Sequence, residues 1–370
     1  MDLDLTPEQK LLAETVNDLL EKKYAPNERL ALLQSEQGWS REMWQQYADL
    51  GLLGLTIDEQ YGGAGMGSVE LLVVMECFGR ALVLEPYLAT VVLGAGLVSA
   101  VGTPEQKTAL LPDVASGQTL LAFAYTEPQS RWSLTDVSCA VDADGALSGQ
   151  KIAVLGGDSA DHLIVTARTP EGTLGLFLVD ASGVRRDSYA MQDGLRGADI
   201  LFESAPAAAL GTSTDALATI DHVIDVATAA LCHEAVGAME RMLWLTVDYL
   251  KTRVQFGQPI SVFQALQHRA SNMYVSLEQA RSMALLARLA LSDHDVGARR
   301  RALQAAKIQI DIAGRHIGQE SIQLHGGIGM TMEYPVGHYA KRATVIAKTF
   351  ADTDLLIEQL GAAGGLVSTL

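Results

Sequence analysis

Two stretches in the last third of this 370-residue chain combine a fixed cation, aromatics, carboxamides and glycines in a way suited to gripping a diphosphate-linked nucleotide. The first runs Arg253-Val254-Gln255-Phe256-Gly257-Gln258-Pro259-Ile260 and resumes at Phe263-Gln264-Ala265-Leu266. An Arg at a helix end, with an aromatic and a glycine three and four residues on, suits a bend. There a guanidinium can clamp a diphosphate bidentately while a ring covers the adenosine. The second runs Gln323-Leu324-His325-Gly326-Gly327-Ile328-Gly329-Met330. Its carboxamide and paired glycines suit amide recognition with close backbone approach to a phosphate or ribose. Taken singly, each stretch is equally well a helix cap followed by a loop.

Other chemistries find less support. Tyr61-Gly62-Gly63-Ala64-Gly65-Met66-Gly67 has no preceding strand, no dinucleotide spacing and no phosphate-loop Lys, so a plain turn is expected. The eight histidines form no HExxH, and no metal site is proposed. His233-Glu234 falls mid-helix and reads as a packed pair. No GxSxG elbow occurs. Acidic side chains outnumber basic ones 44 to 27, a formal charge of −17, which disfavours nonspecific nucleic-acid binding. Cys77, Cys139 and Cys232 are scattered and odd in number, which suggests a reducing compartment. With no basic leader at Met1-Asp2-Leu3-Asp4, and an apolar run near Thr90 to Val101 too short to cross a bilayer, the expectation is a cytoplasmic protein with no membrane insertion.

Three textures position these residues, and together they predict an α+β chain. Residues 1–118 read as an N-terminal helical domain, opened by Thr6-Pro7-Glu8-Gln9 and closed by a second start signal at Thr103-Pro104-Glu105-Gln106. Residues 119–213 hold short β-rich runs from Leu120 to Glu203, punctuated by turns such as Asp142-Ala143-Asp144-Gly145, and predict a compact barrel or sandwich. Residues 214–370 return to long helices, near Asp215–Arg253, Val262–Ser292, Ala298–Leu324 and Thr353–Leu360. Short loops between them argue for an antiparallel four-helix bundle.

The paired C-terminal stretches, with this order of textures, resemble the FAD-dependent acyl-CoA dehydrogenases. That resemblance implies the acyl-CoA dehydrogenase fold and α,β-dehydrogenation of an acyl-CoA thioester. It also implies FAD as cofactor and an electron-transferring flavoprotein as electron acceptor. Carried over residue by residue, Arg253, Phe256, Phe263, Gln264, Gln323, Gly326 and Gly327 would hold the ADP half of a neighbouring subunit's FAD. FAD and coenzyme A are anions, so on so acidic a chain such a site needs locally placed donors.

The other family positions depart from the pattern. Thr126-Glu127-Pro128 is present, but Gln129-Ser130-Arg131-Trp132-Ser133 follows where the family has small residues that let a flavin approach. After Gly149-Gln150-Lys151, Ala153 and Leu155 stand where a Trp and a Thr would meet the flavin ring. The family's commonest catalytic Glu belongs to a Tyr-Glu-Gly-Thr motif; here Phe350-Ala351-Asp352-Thr353 puts Ala351 at that position. The alternative Glu of some members falls near Ala227, counting back from Ala235-Val236-Gly237. Asp352 is the remaining carboxylate nearby, with a helix N-cap as its bland reading.

This combination looks most like the small subunit of two-component acyl-CoA dehydrogenases of the pimeloyl-CoA type, a likeness carried also by Phe78-Gly79-Arg80-Ala81-Leu82 and Glu85-Pro86-Tyr87. It implies a heterotetramer in which an acyl-CoA dehydrogenase large subunit supplies the base and the flavin-ring site. The rival expectations are a homotetramer with a reworked site using Asp352, and a non-catalytic scaffold.

Overall fold

The structure, a computed structural model, describes residues 4–211 and 216–365. The expected boundary at 213/214 and the helix start at Asp215 lie outside the described residues. The chain runs from helices through a central sheet to long helices, an α+β arrangement. It divides into two compact units that interleave in sequence. One comprises Met1–Leu30, Ser68–Val83 and Thr228–Leu370; the other comprises Ala31–Gly67 and Leu84–Ala227.

The N-terminal helices are α1 (Pro7–Lys23), α2 (Pro26–Gln34), α3 (Arg41–Asp49), α4 (Ser68–Ala81), α5 (Gly96–Val101) and α6 (Pro104–Ala115). Both expected capping boxes form. Thr6 and Gln9 exchange side chain and backbone at 3.3 and 3.0 Å, and Thr103 and Gln106 do the same at 3.3 and 3.0 Å. Each closes two helix-end N–H groups that would otherwise be orphaned. The glycine run is the expected turn: Gly62 is left-handed at φ 83°, and a Cβ on Gly63 would fall 2.0 Å from the Ile57 carbonyl oxygen.

The second unit centres on strands β1 (Leu121–Ala124), β2 (Ala140–Val141), β3 (Ala146–Leu155), β4 (His162–Arg168), β5 (Leu174–Asp180), β6 (Arg185–Ala190) and β7 (Arg196–Ala209). Pairings β2–β3, β3–β7, β7–β5, β5–β4 and β4–β2 close a ring, so five strands form a small barrel. β1 joins β4 in parallel and β6 adds to β7. Val141, Leu147, Leu163, Val165, Phe177, Ile200 and Phe202 fill the interior. The pairing of β3 with β7 shifts register between Lys151 and Val154, which leaves room for a bulge.

The first unit is helical: α7 (Ala216–Thr252, from Thr228 onward), a hairpin of β8 (Val254–Gln255) and β9 (Gln258–Pro259), α8 (Gln264–Ala290), α9 (Val296–His325), α10 (Val336–Ile346) and α11 (Thr353–Ala362). By length and composition α7 could cross a bilayer, although 56% of its most apolar window is buried within the protein. Small residues account for the scarcity of aromatics here. A Cβ on Gly79 would lie 1.9 Å from the Glu234 carbonyl oxygen, and one on Gly237 would lie 2.0 Å from that of Glu76. α4 and α7 therefore touch backbone to backbone. Glu234 forms a buried two-pronged pair with Arg342 at 2.6 and 2.7 Å, which binds α7 to α10. His233 faces Glu76 at 3.5 Å, so the pair read as packed is indeed spent on helix packing.

Candidate functional site

Arg253 follows the last turn of α7, its N–H donating to the Tyr249 carbonyl at 2.8 Å. Its own carbonyl accepts the Ile260 N–H at 2.9 Å, which closes the hairpin. Register Gln255↔Gln258 leaves Phe256 and Gly257 as a two-residue turn with φ of 55° and 78°. Both central residues of this turn class need positive φ; glycine adopts it freely, whereas Phe256 is held there at a cost of about 1–2 kcal/mol. The ring is 88% exposed and meets Phe263 edge-on at 6.0 Å. The strained backbone therefore presents this ring to solvent instead of packing it in the core. Gln264 opens α8 and is exposed.

Gln323 is exposed on the last turn of α9. Gly326 ends that helix at φ 61°, and no atom lies within 4 Å of a Cβ built on Gly326 or Gly327. The backbone here is open to close approach. The two signatures, seventy residues apart, are brought together by ring packing: Tyr249, one turn before Arg253, lies 4.4 Å from His325, centroid to centroid. A cavity of about 380 Å³ in the same unit, walled by Leu20, Tyr24, Arg29, Leu82, Arg241 and His338, includes none of the signature residues.

The expected base positions hold no free carboxylate. Ala351 is 9% exposed and Ala227 is fully buried. Asp352 is the N-cap of α11: Oδ1 accepts the Leu355 N–H at 3.0 Å and Oδ2 meets Lys348 Nζ at 3.2 Å. Those bonds, the backbone one foremost, hold its carboxyl below the usual carboxylate range. The preceding Phe350 is left-handed at φ 67°.

In the barrel, Glu127 and Lys151 meet at 2.7 Å, both fully or nearly fully buried, with Thr166 Oγ1 2.8 Å from the ammonium. Glu127 also accepts the Ser138 and Cys139 N–H groups at 2.8 and 3.1 Å. Burial raises its carboxyl, but hydrogen bonds from Lys151, Gln129 and Ser138 outweigh that and bring it to about 2. This pair straps the Thr126-Glu127-Pro128 segment to β3. Two residues on, Ala153 occupies the bulge at φ 52°, exposed, with its N–H donated to Asp199 Oδ1 at 2.9 Å. The Tyr189 hydroxyl donates to the same oxygen at 2.8 Å, and burial with that carboxylate pushes it up to about 12. Leu155 is half-buried. Arg131 is left-handed at φ 49° and exposed. Asp199, Tyr189 and Tyr249 were not legible as site residues, since no local pattern marks them.

The description "Acyl-CoA dehydrogenase, N-terminal domain" matches residues 6–118, and "Acyl-CoA dehydrogenase, C-terminal domain" matches residues 217–351. This chain belongs to the acyl-CoA dehydrogenase family. It is 31% identical over 364 residues to the probable acyl-CoA dehydrogenase YngJ of Bacillus subtilis, covering 94% of this chain and 95% of that one. It is 32% identical over 342 residues to acyl-CoA dehydrogenase IpdE2 of Mycobacterium tuberculosis, covering 92% of each. Among solved structures, the Tcur3481-Tcur3483 steroid ACAD is similar, with a TM-score of 0.87, 31% identity and 96% and 97% of the two chains covered. As an acyl-CoA dehydrogenase it is an FAD-dependent oxidoreductase acting on the CH–CH bond of an acyl-CoA.

The fit of this dehydrogenase to FAD is split. The exposed Arg253, the presented Phe256 ring and the open Gly326-Gly327 backbone suit the nucleotide half. The ring half does not fit its own barrel: the Ala153 methyl offers no stacking face, its N–H is already taken by Asp199, and Leu155 has no hydroxyl to donate.

Proposed function

We propose that this chain is the small subunit of a heteromeric acyl-CoA dehydrogenase, most like the pimeloyl-CoA type. In this reading Arg253, Phe256, Phe263, Gln264, Gln323, Gly326 and Gly327 hold the ADP half of an FAD whose ring is enclosed by a large subunit. Bound there, the cofactor supplies the two-electron acceptor for the dehydrogenation. Arg253 neutralises the diphosphate and Phe256 covers the adenosine. The Gly326-Gly327 turn lets the backbone approach without side-chain interference. The large subunit contributes the carboxylate that takes the α-proton, and acyl-CoA is the substrate. Electrons leave to an electron-transferring flavoprotein, an acceptor this reading takes from the family. Three buried free thiols suit a reducing, cytoplasmic setting.

The observation that carries this reading is the state of Asp352. Its carboxylate, the last candidate base, is committed to a helix N-cap and a lysine. That commitment, with Ala351 at one family base position and Ala227 near the other, weighs against a homotetramer with a reworked site. The two-component name of the Tcur3481-Tcur3483 relative supports the same division. Expression of this chain with and without its large subunit tests it. Acyl-CoA dehydrogenation is expected only from the pair, and a fully active, fully flavinated single chain would refute the assignment. A colourless pair would point instead to the scaffold role.

A further inference from the structure

His325 closes α9 and is 3% exposed. Its Nδ1 lies 2.7 Å from the Ser321 carbonyl oxygen one turn back, so that nitrogen carries the proton and donates it. Nε2 is buried without a well-formed hydrogen bond, on the side of the Leu245 carbonyl, which favours the protonated ring. The Ser321 hydroxyl on the same turn is fully buried and unpartnered. Unmet buried polar atoms cost stability, and an apolar side chain of similar bulk would avoid that cost. What the imidazole adds is a donor fixed to its own helix and a flat ring packed against two others. Tyr249 packs on it at 4.4 Å with planes 31° apart, and Tyr334 at 4.7 Å with planes 51° apart. Tyr249 and Tyr334 themselves meet edge-on at 6.2 Å. Tyr249 stands one turn before Arg253 and accepts its N–H, while His325 directly precedes Gly326.

We infer that His325 is a positioning residue for cofactor binding: packed against both Tyr249 and Tyr334, it sets the Gly326-Gly327 turn in register with Arg253. The inference rests on the assignment of those residues to FAD made above. The cluster meets both halves through the backbone, Tyr249 accepting the Arg253 N–H and His325 leading directly into Gly326. It fixes the spacing between the two, which is what a ligand bridging them reads.

The test is the dissociation constant of FAD from the assembled heteromer, followed by flavin fluorescence, for His325→Ala, His325→Asn, Arg253→Ala and the double His325→Ala/Arg253→Ala. His325→Ala is expected to weaken FAD about tenfold, the scale seen when a residue supporting a binding shell is removed. His325→Asn, whose amide can still donate to the Ser321 carbonyl, recovers part of that loss. The double variant is weakened by less than the product of the single effects, because His325 acts through the placement of Arg253 and the turn. Tyr249→Leu supplies the same reading if His325→Ala fails to assemble: FAD loosens severalfold while the flavin-free heteromer keeps its melting temperature. Unchanged FAD affinity in His325→Ala or Tyr249→Leu, alongside a weakened Arg253→Ala, overturns this inference and leaves the FAD assignment standing. Fully multiplicative effects also overturn it. Unchanged affinity in Arg253→Ala overturns the assignment itself.

Discussion

The Asp352 carboxylate accepts the Leu355 amide proton at 3.0 Å, which makes the one acidic side chain beside the family's base position a structural cap. Asp352→Ala is expected to cost about 1 kcal/mol of stability, and Asp352→Asn much less, since asparagine caps nearly as well. Turnover by the assembled heteromer should stay within about twofold of wild type in both variants. Loss of a general base would instead cost about 10²–10⁴-fold. Denaturation curves and steady-state rates on the same preparations separate the two.

Glu127 and Lys151 form a buried pair under the segment that would face a flavin in a ring-binding barrel. Lys151→Met leaves the carboxylate buried without its cation and should cost about 3–5 kcal/mol. The pair also sets an acid limit. Glu127 titrates at about 2 in the folded chain against an ordinary value near 4.5, so its contribution is complete above pH 4.5 and is lost as pH falls from there toward 2. Urea melts at pH 5 and pH 3 check this: the wild type loses stability over that interval, and Glu127→Gln loses less.

His325 and His338 are both depressed, chiefly by burial. His338 Nε2 sits 2.9 Å from the Met332 carbonyl oxygen, with Arg29 and Lys341 adding repulsion to its protonated form. Below the ordinary value of 6.5 the unfolded chain takes up protons that the folded chain refuses. Stability therefore falls as pH drops through that point, by at most about 1.4 kcal/mol per pH unit for each site. His338→Asn should flatten the dependence between pH 6.5 and 5 in thermal melts.

Gly79 and the Glu234 carbonyl define how closely α4 and α7 pack. Gly79→Ala should separate the helices and cost about 1–3 kcal/mol through overpacking. An unchanged melting temperature would show that the contact relaxes freely.

Much of the fold was legible because local chemistry and tertiary packing agree. The Thr-Pro-Glu-Gln starts at Thr6 and Thr103 announce helices that form with their capping boxes closed. Long apolar periodicity marks α7, α8 and α9 to within a few residues. Several elements escaped, three of them for plain reasons. β6, Arg185-Arg186-Asp187-Ser188-Tyr189-Ala190, has no fully buried residue and no apolar alternation, so only its pairing with β7 makes it a strand. α2 and α10 carry Arg29, His338 and Arg342 inward, which blurs their helical stripe. The candidate site divides the same way. Arg253, Phe256 and the Gly326-Gly327 pair stand out by type and spacing. The Ala153 bulge and its bond to Asp199 depend on the β3–β7 register, and the Tyr249–His325 contact depends on where α7 and α9 end.

The most direct measurement is the flavin-to-chain ratio of the purified protein, alone and in complex with the proposed large subunit. No bound FAD is expected for this chain alone. In the complex, one FAD is expected for each pair of unlike chains, lost on Arg253→Ala. One FAD per chain in the isolated protein, with the flavin ring absorbance of a complete site, would contradict a site shared between unlike chains.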